Sequence, residues 1–210
     1  MLLASVGNDG ELKVWEYNQG FNTANNQWKV IQRHKASNSL GCVAFCPWEH
    51  GVVVAAGSAD GSLVLLDLQT GDQLTMNAAH QSSINGLSWQ PLMPGEESVA
   101  RLVTGGSDNK LKIWHFEASK LTLEQELLDS NGPAHNDWVR DVDWLKSGAT
   151  SGLLSDYIAS VSEDKSLKIW RQMKGSNDWH CVFRKQESVP QWKCSWAPSS
   201  ALLAVSCGDN

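Results

Sequence analysis

The stretch "RLVTGGSDNKLKIWHF", residues 101–116, has the pattern of a β-hairpin. An apolar run ends in small residues, and the polar turn "SDNK" follows it. The next four residues, "LKIW", alternate with a period of two, which places leucine and isoleucine on one face of a strand and lysine and tryptophan on the other. The stretch therefore predicts two antiparallel strands joined by a tight turn that contains Asp108.

The same pattern recurs along the chain. Similar segments begin at Leu2, Val52, Arg101 and Tyr157, and a shorter one begins at Leu202. The turn of each copy holds an aspartate, and these recur at intervals of 45 to 56 residues: Asp9, Asp60, Asp108, Asp164 and Asp209. In three copies a tryptophan follows the aspartate by six positions (Trp15, Trp114 and Trp170), and the second copy has Leu66 there. Self-similarity at this period is typical of repeat architectures.

Further extended segments complete each repeat. One precedes each hairpin and carries an aromatic residue at an equivalent place, namely Phe45, Trp89, Trp144 and Trp196. Histidines lie upstream of three of these segments, namely His34, His80 and His135. Another extended segment follows the hairpin, and its place in the repeat predicts a strand rather than a helix for "EASKLTLEQELLDS". Four strands per repeat of this length predict the blades of a β-propeller.

The predicted fold class is therefore all-β, a WD-repeat β-propeller of which this chain holds about four blades. The whole chain, residues 1–210, forms one partial propeller domain. Its units are expected to end near the following limits: 1–33, 34–79, 80–134, 135–188 and 189–210.

The repeated polar residues predict a structural hydrogen-bond relay within each blade. The indole of the tryptophan donates to a serine or threonine, which contacts a histidine held by the turn aspartate. The members are Trp114, Thr104, His80 and Asp108 in one blade and Trp170, Ser160, His135 and Asp164 in the next. A partial relay is expected at Ser5, Asp9 and Trp15. The second copy has Ala56 and Leu66 instead, so packing alone should hold that blade.

Composition argues against several classes of function. The net charge is −6 and no run of lysine or arginine occurs, which argues against a nucleic-acid partner. The longest apolar run, "VVVAA", is too short to cross a bilayer, so no direct membrane insertion is expected. The five cysteines include no C-x-x-C pair, which favours reduced thiols and no zinc. No cofactor is implied.

Catalysis has no coherent motif either. The serine-acylase pattern S-x-x-K occurs in "SDNK" and "SEDK", but these are equivalent turns of the repeat and no K-T-G follows. Neither G-x-x-x-x-G-K-[ST] nor G-x-G-x-x-G is present, so no phosphate-binding loop supports nucleotide chemistry. The chain is therefore not expected to be an enzyme.

Several segments point beyond a generic WD-repeat protein. The run "AHNDWVRDVDW", residues 134–144, closely resembles a signature of the Sec-thirteen family. "GSADGSLVLLD" resembles the blade in which that family replaces tryptophan by leucine, and "QPLMPGEESVA" stands where the family has an insertion. "PQWKCSWAPSSALLAVSCGDN" resembles its last blade, so the resemblance extends over essentially the full chain.

This resemblance implies a non-catalytic scaffold subunit of the COPII vesicle coat in ER-to-Golgi transport, which also resembles a structural nucleoporin. The implied partners are a long α-solenoid coat subunit that supplies an insertion blade, and scaffold subunits of the nuclear pore complex. The implied locations are the cytoplasm, peripherally at the ER membrane and COPII vesicles, and the nuclear pore. Because the family's propeller is open and has six blades, the resemblance implies that this chain is an incomplete arc of about four blades from a six-bladed open propeller, a fragment that opens in the second blade and stops in the sixth. The rival reading closes the ring by pairing its two ends.

An alternative function is that of a generic WD-repeat adaptor, such as a ubiquitin-ligase substrate receptor or a subunit of a nutrient-sensing complex. Such receptors often read ligands with arginines near the central channel, and Arg140 is the only arginine on a predicted inner strand, which weakens this alternative. Arg140 and Trp138 form either a partner contact or a local packing contact.

Overall fold

The computed structural model describes residues 1–18, 27–92, 99–130, 132–145, 157–173, 175–176, 178–198 and 202–208. In these residues the chain forms strands and one 3₁₀ turn, Trp48–His50, with no α-helix. The strands in chain order are β1 (Leu2–Val6), β2 (Glu11–Asn18), β3 (Gln27–Lys35), β4 (Leu40–Phe45), β5 (Val53–Ser58), β6 (Leu63–Asp67), β7 (Gln73–Met76), β8 (Ile84–Trp89), β9 (Ala100–Gly106), β10 (Leu111–Glu117), β11 (Lys120–Asp129), β12 (Gly132–Pro133), β13 (Val139–Trp144), β14 (Tyr157–Ser162), β15 (Ser166–Gln172), β16 (Trp179–Gln186), β17 (Gln191–Trp196) and β18 (Leu203–Cys207).

The strands form five antiparallel sheets, in each of which sequence neighbours pair. Their orders are β1-β2-β3, β4-β5-β6-β7, β8-β9-β10-β11-β12, β13-β14-β15-β16 and β17-β18. The all-β propeller class is confirmed, and "EASKLTLEQELLDS" contains strand β11, as its place in the repeat predicted. The first sheet extends to Lys35, two residues past the predicted limit at 33. Among the described strands, β1 pairs with β2 and β18 with β17, so ring closure by pairing the two ends is not observed.

The core lies between neighbouring sheets, so the central strands are buried on both faces. Val53 and Ala55 of β5 pack toward the third sheet, whereas the alternating residues Val54 and Ala56 pack toward the first. The four strands β4, β8, β13 and β17 pack against one another in that order as the inner strands. This double burial explains why apolar runs, rather than alternation, precede each turn.

In the described turns after β1, β5, β9 and β14, the residue directly after the aspartate adopts a left-handed conformation. That residue has φ of 72° at Gly10 and 82° at Gly61, where glycine adopts the conformation without strain. Asn109 and Lys165 hold the same place with φ of 68° and 67°. The D-G, D-N and D-K dipeptides therefore mark one conserved geometry of the turn within this chain.

Candidate functional site

The predicted relay residues of the third sheet lie in a continuous chain of hydrogen bonds. The indole Nε1 of Trp114 donates to the hydroxyl of Thr104 at 2.8 Å, and that hydroxyl lies 2.7 Å from Nε2 of His80. Nδ1 of His80 lies 2.8 Å from a carboxylate oxygen of Asp108. Because an ionised carboxylate only accepts, Nδ1 carries the proton and Nε2 accepts from the threonine hydroxyl. The second carboxylate oxygen of Asp108 accepts the backbone N–H of Gln81 at 3.0 Å.

The fourth sheet holds the equivalent chain. Trp170 donates to the hydroxyl of Ser160 at 2.9 Å, and this hydroxyl lies 2.7 Å from Nε2 of His135. Nδ1 of His135 lies 3.0 Å from Asp164, whose other oxygen accepts the hydroxyl of Ser166 at 2.6 Å. The imidazole, the indole and the serine are fully buried, so every one of their polar groups depends on this chain for a partner.

The electrostatics of the fourth-sheet relay favour a neutral histidine beside an ionised aspartate. Burial lowers the pKa of His135, against the opposing effect of its hydrogen bond to Asp164. Burial by itself would raise the pKa of Asp164, but hydrogen bonds from His135 and Ser166 and the N–H of Asn136 outweigh it and lower that pKa. A buried neutral imidazole with both nitrogens bonded is a structural group rather than a free acid or base.

A lysine two residues before the relay tryptophan is a further member of the hydrogen-bonded relay, and the sequence pattern had not identified it as one. Lys112 donates to the backbone carbonyl of Ala79 at 2.6 Å, and Lys168 donates to the carbonyl of Ala134. Each carbonyl belongs to the residue just before the relay histidine, so the ammonium group fixes the loop that presents the imidazole. Lys168 is buried and also pairs with Asp129 at 2.6 Å. The recurrence of lysine in "LKIW" was the signal for this role.

The first sheet contains only part of the relay. Trp15 donates to the hydroxyl of Ser5 at 2.9 Å, as the partial relay anticipated. Asp9 accepts the backbone N–H of Glu11 at 3.0 Å and shapes the turn. Asp209, the equivalent aspartate of the fifth copy, lies outside the described residues, as do residues 93–98 of the predicted insertion.

The second sheet departs from the expected pattern at the histidine position. The backbone N–H groups of His80 and His135 each donate a hydrogen bond to the carbonyl of the left-handed turn residue in the preceding hairpin. At the corresponding place before the second sheet, the donor is the N–H of Ala36. His34 therefore lies two residues before the position that His80 and His135 occupy in their blades, because β3 extends through Lys35. With alanine at this position, this blade retains only the turn aspartate of the relay.

The aspartates of "VRDVDW" connect neighbouring blades, a role that the sequence also left unassigned. One oxygen of Asp143 accepts the hydroxyl of Ser88 at 3.0 Å, and the other accepts the N–H of Trp196 at 2.7 Å. These contacts link β8, β13 and β17 through a single buried carboxylate. Asp141 accepts the N–H of Cys194 at 3.1 Å, and burial raises the pKa of Asp141.

Trp138 and Arg140 do form the local contact that was one of the two readings. The guanidinium lies 5.1 Å from the ring centre of Trp138 and 4.6 Å from that of Trp192, and it bonds the carboxylate of Glu163. Both tryptophan rings keep over two fifths of their surface exposed. The contact therefore leaves an aromatic surface open to solvent.

The described part of the chain offers little for metal or redox chemistry. No group of three or more histidine, cysteine or acidic residues with the geometry of a metal site occurs in it. All five cysteines are free, and burial raises the pKa of the Cys42 and Cys46 thiols to about 12. No helix among the described residues is long and apolar enough to span a membrane.

Comparisons with known proteins agree with this architecture. The family model described as "WD domain, G-beta repeat" matches residues 71–115 and 128–171, the two segments that hold the complete relays. The chain is 35% identical to "Protein transport protein sec13" of Aspergillus fumigatus over 226 residues, which cover 100% of this chain and 71% of the relative. It is 34% identical to "Protein transport protein SEC13-2" of Candida glabrata, with 99% and 70% covered. It is 31% identical to "Protein SEC13 homolog" of Drosophila melanogaster, with 100% and 60% covered.

Proposed function

The chain belongs to the Sec-thirteen family of WD-repeat proteins, and from this premise we propose that it is a non-catalytic scaffold subunit in protein transport. Its place is a COPII-type coat on vesicles that carry cargo from the ER to the Golgi. The observation that carries the proposal is the alignment of the whole chain with relatives that are named protein transport proteins.

The chemistry of the conspicuous polar residues supports a scaffold. The two complete relays absorb their histidines, aspartates and hydroxyl groups into internal hydrogen bonds. A scaffold needs rigid blades with surfaces for other proteins, and a buried network in which all members are satisfied supplies that rigidity. The partner that we propose is a long α-solenoid coat subunit that adds strands to the propeller, a mode in which backbone hydrogen bonds supply affinity.

The proposed location follows from the same premise. The protein acts in the cytoplasm, bound peripherally to the coat at ER membranes and transport vesicles. A second pool at the nuclear pore complex, bound to scaffold subunits there, is the finer part of the proposal and needs its own test by imaging.

Affinity capture tests the proposal directly. The tagged chain is expressed in its own cells, and the proteins that co-purify are identified by mass spectrometry. We expect an α-solenoid coat subunit in stoichiometric amount, together with slower ER-to-Golgi cargo transport when the chain is depleted. Recovery of ubiquitin-ligase adaptors in place of that subunit, with unchanged cargo transport, would refute the scaffold role.

A further inference from the structure

A β-bulge recurs at one place in all four inner strands. In each strand one residue has no partner in the register with the second strand of its blade. These bulge residues are Gly41 in β4, Asn85 in β8, Arg140 in β13 and Trp192 in β17. Bulges redirect side chains, and natural proteins use them beside functional sites.

All four bulge residues line a single cavity. It has a volume of about 280 Å³ and opens where the inner strands begin, with Lys193 as a further lining residue. The equivalent positions of the four blades therefore hold a glycine, an amide, a guanidinium and an indole, and all of them surround one opening. A glycine and three different side chains at equivalent positions give each side of the opening a different chemistry, which is a pattern expected of recognition.

The chemistry of the cavity is cationic and aromatic. The residues that line the cavity include Arg140 and Lys193 and no carboxylate. Glu163 and Asp141 pair with these two cations but do not themselves line the cavity. Arg140 bonds Glu163 through Nε and Nη2, which leaves Nη1 without a partner among the residues that the structure describes. Lys193 is 64% exposed and lies 3.3 Å from Asp141, so its ammonium group can also reach a ligand.

Aromatic surface continues from the cavity across the face. Trp138 is 47% exposed and Trp192 is 41% exposed, and the guanidinium of Arg140 is stacked between them. Tryptophan and arginine are the residue types most enriched among the contacts that dominate protein interfaces. Stacking holds the arginine in place before a ligand arrives, which reduces the entropy lost on binding.

From this geometry we propose that the ring of bulge residues binds an acidic, extended peptide segment of a partner protein. A glutamate or aspartate side chain enters the cavity between Arg140 and Lys193, where charge-assisted hydrogen bonds hold its carboxylate. A neighbouring apolar or aromatic side chain packs on Trp138 and Trp192. This site does not depend on the coat function, because the proposed insertion blade would bind by strand pairing elsewhere on the propeller.

Fluorescence anisotropy with a defined probe tests the site. The probe is the fluorescein-labelled peptide Gly-Glu-Glu-Phe-Glu-Glu-Gly, titrated with the full 210-residue chain. We expect saturable binding that weakens as the NaCl concentration rises from about 0.05 M to about 0.5 M, because part of the affinity is electrostatic. Replacing every glutamate of the probe by lysine should abolish binding.

Two variants change the cavity without removing a core contact. Gly41→Glu places a competing carboxylate inside the ring, and a Cβ at Gly41 meets its nearest neighbour, the carbonyl oxygen of Ile84, at 3.7 Å, an ordinary contact. Lys193→Glu reverses the exposed charge. Each should weaken probe binding about tenfold or more. Gln69→Glu, in the exposed turn after β6, adds the same charge as Gly41→Glu away from the cavity and should leave binding unchanged.

The outcomes are distinct. Loss of binding in both cavity variants, with circular dichroism and thermal midpoints unchanged, supports the site. Equal binding of wild type and both variants overturns it, as does equal affinity for the lysine peptide. A clear preference for a phosphoserine peptide of the same net charge overturns the assignment to carboxylates. Lys193→Glu should still capture the coat subunit, so a failure of this site is distinguishable from a failure of the proposed function.

Discussion

Replacement of Ser160 by alanine is the sharpest test of the relay. The Ser160 hydroxyl accepts the indole N–H of Trp170 at 2.9 Å and lies 2.7 Å from Nε2 of His135, to which it donates. All three side chains have no solvent exposure, so water cannot replace the lost oxygen without repacking. The Ser160→Ala variant therefore leaves one buried donor and one buried acceptor without partners.

The expected magnitude follows from those two orphaned groups. Each buried polar group that loses its partner costs about 1–3 kcal/mol. Part of this cost is offset because the variant no longer has to bury the serine hydroxyl away from water. We therefore expect a loss of about 2–4 kcal/mol in the free energy of unfolding. In a Trp170→Phe background the indole donor is already absent, so Ser160→Ala should then cost about 1–2 kcal/mol less. Such coupling separates a hydrogen-bond chain from simple loss of packing volume.

Urea unfolding followed by far-UV circular dichroism measures the effect, with stability taken from linear extrapolation and an unchanged denaturant slope as a requirement. The matched control is Ser195→Ala, which removes an exposed hydroxyl from β17 and should change stability by less than about 0.5 kcal/mol. If Ser160→Ala costs no more than this control, or costs the same in the Trp170→Phe background, the relay does not stabilise the blade in the way described.

Three further substitutions test other contacts. The folded-state pKa of Asp164 is lowered, so its contribution is present above the ordinary carboxyl pKa and is lost as pH falls from that value toward the lower folded-state pKa. Asp164→Asn should therefore flatten the decline in unfolding free energy below about pH 4, whereas the exposed control Asp178→Asn should keep the wild-type profile. Lys168→Met should cost about 2 kcal/mol in urea unfolding because it leaves the carbonyl of Ala134 unbonded and removes one of the two cations on Asp129, which Arg184 still pairs, and a loss below about 1 kcal/mol would contradict this role. Asp143→Asn should speed hydrogen exchange at the backbone amide of Trp196, and unchanged protection there would show that the carboxylate does not link the blades.

The partners within one relay could be anticipated because a tight hairpin limits the geometry. Once Asp108 marks the turn, the register pairs Lys112 with Thr104 and Trp114 with Leu102, so the indole and the hydroxyl are diagonal neighbours. A buried indole and a buried imidazole both need partners, and few arrangements within one blade satisfy them. Local chemistry therefore carried most of the information about this chain of contacts.

Other features depend on elements that the sequence does not align. The loop between an outer strand and the next inner strand has no fixed length, so the repeat pattern does not show that Ala36, rather than His34, lies at the position of the relay histidines. The partners of Asp143 come from two other blades, and no spacing along the chain indicates which inner strands are adjacent to it. Contacts across blades depend on how neighbouring blades pack side by side, which a repeat pattern along the chain does not determine.

The two kinds of β-bulge in the propeller respond differently to loss of the relay. An outer-strand bulge lies opposite each relay tryptophan: the register of the outer strand shifts at Trp15, Trp114 and Trp170. Opposite Leu66, in the blade that lacks the relay, the register of β6 and β7 runs without a shift. The outer bulge therefore accompanies the tryptophan in these blades and is absent where leucine replaces it.

The inner bulge behaves otherwise, because the blade without a relay keeps it at Gly41. A bulge that persists when tryptophan, hydroxyl and histidine have all been replaced is not a by-product of the relay. It costs a residue's pairing in each of the four described inner strands, and it places three different side chains and a glycine at the same opening. The relay thus accounts for the rigidity of two blades but does not account for the inner bulges. Because the bulge residues line one cavity, a ligand should be sought there.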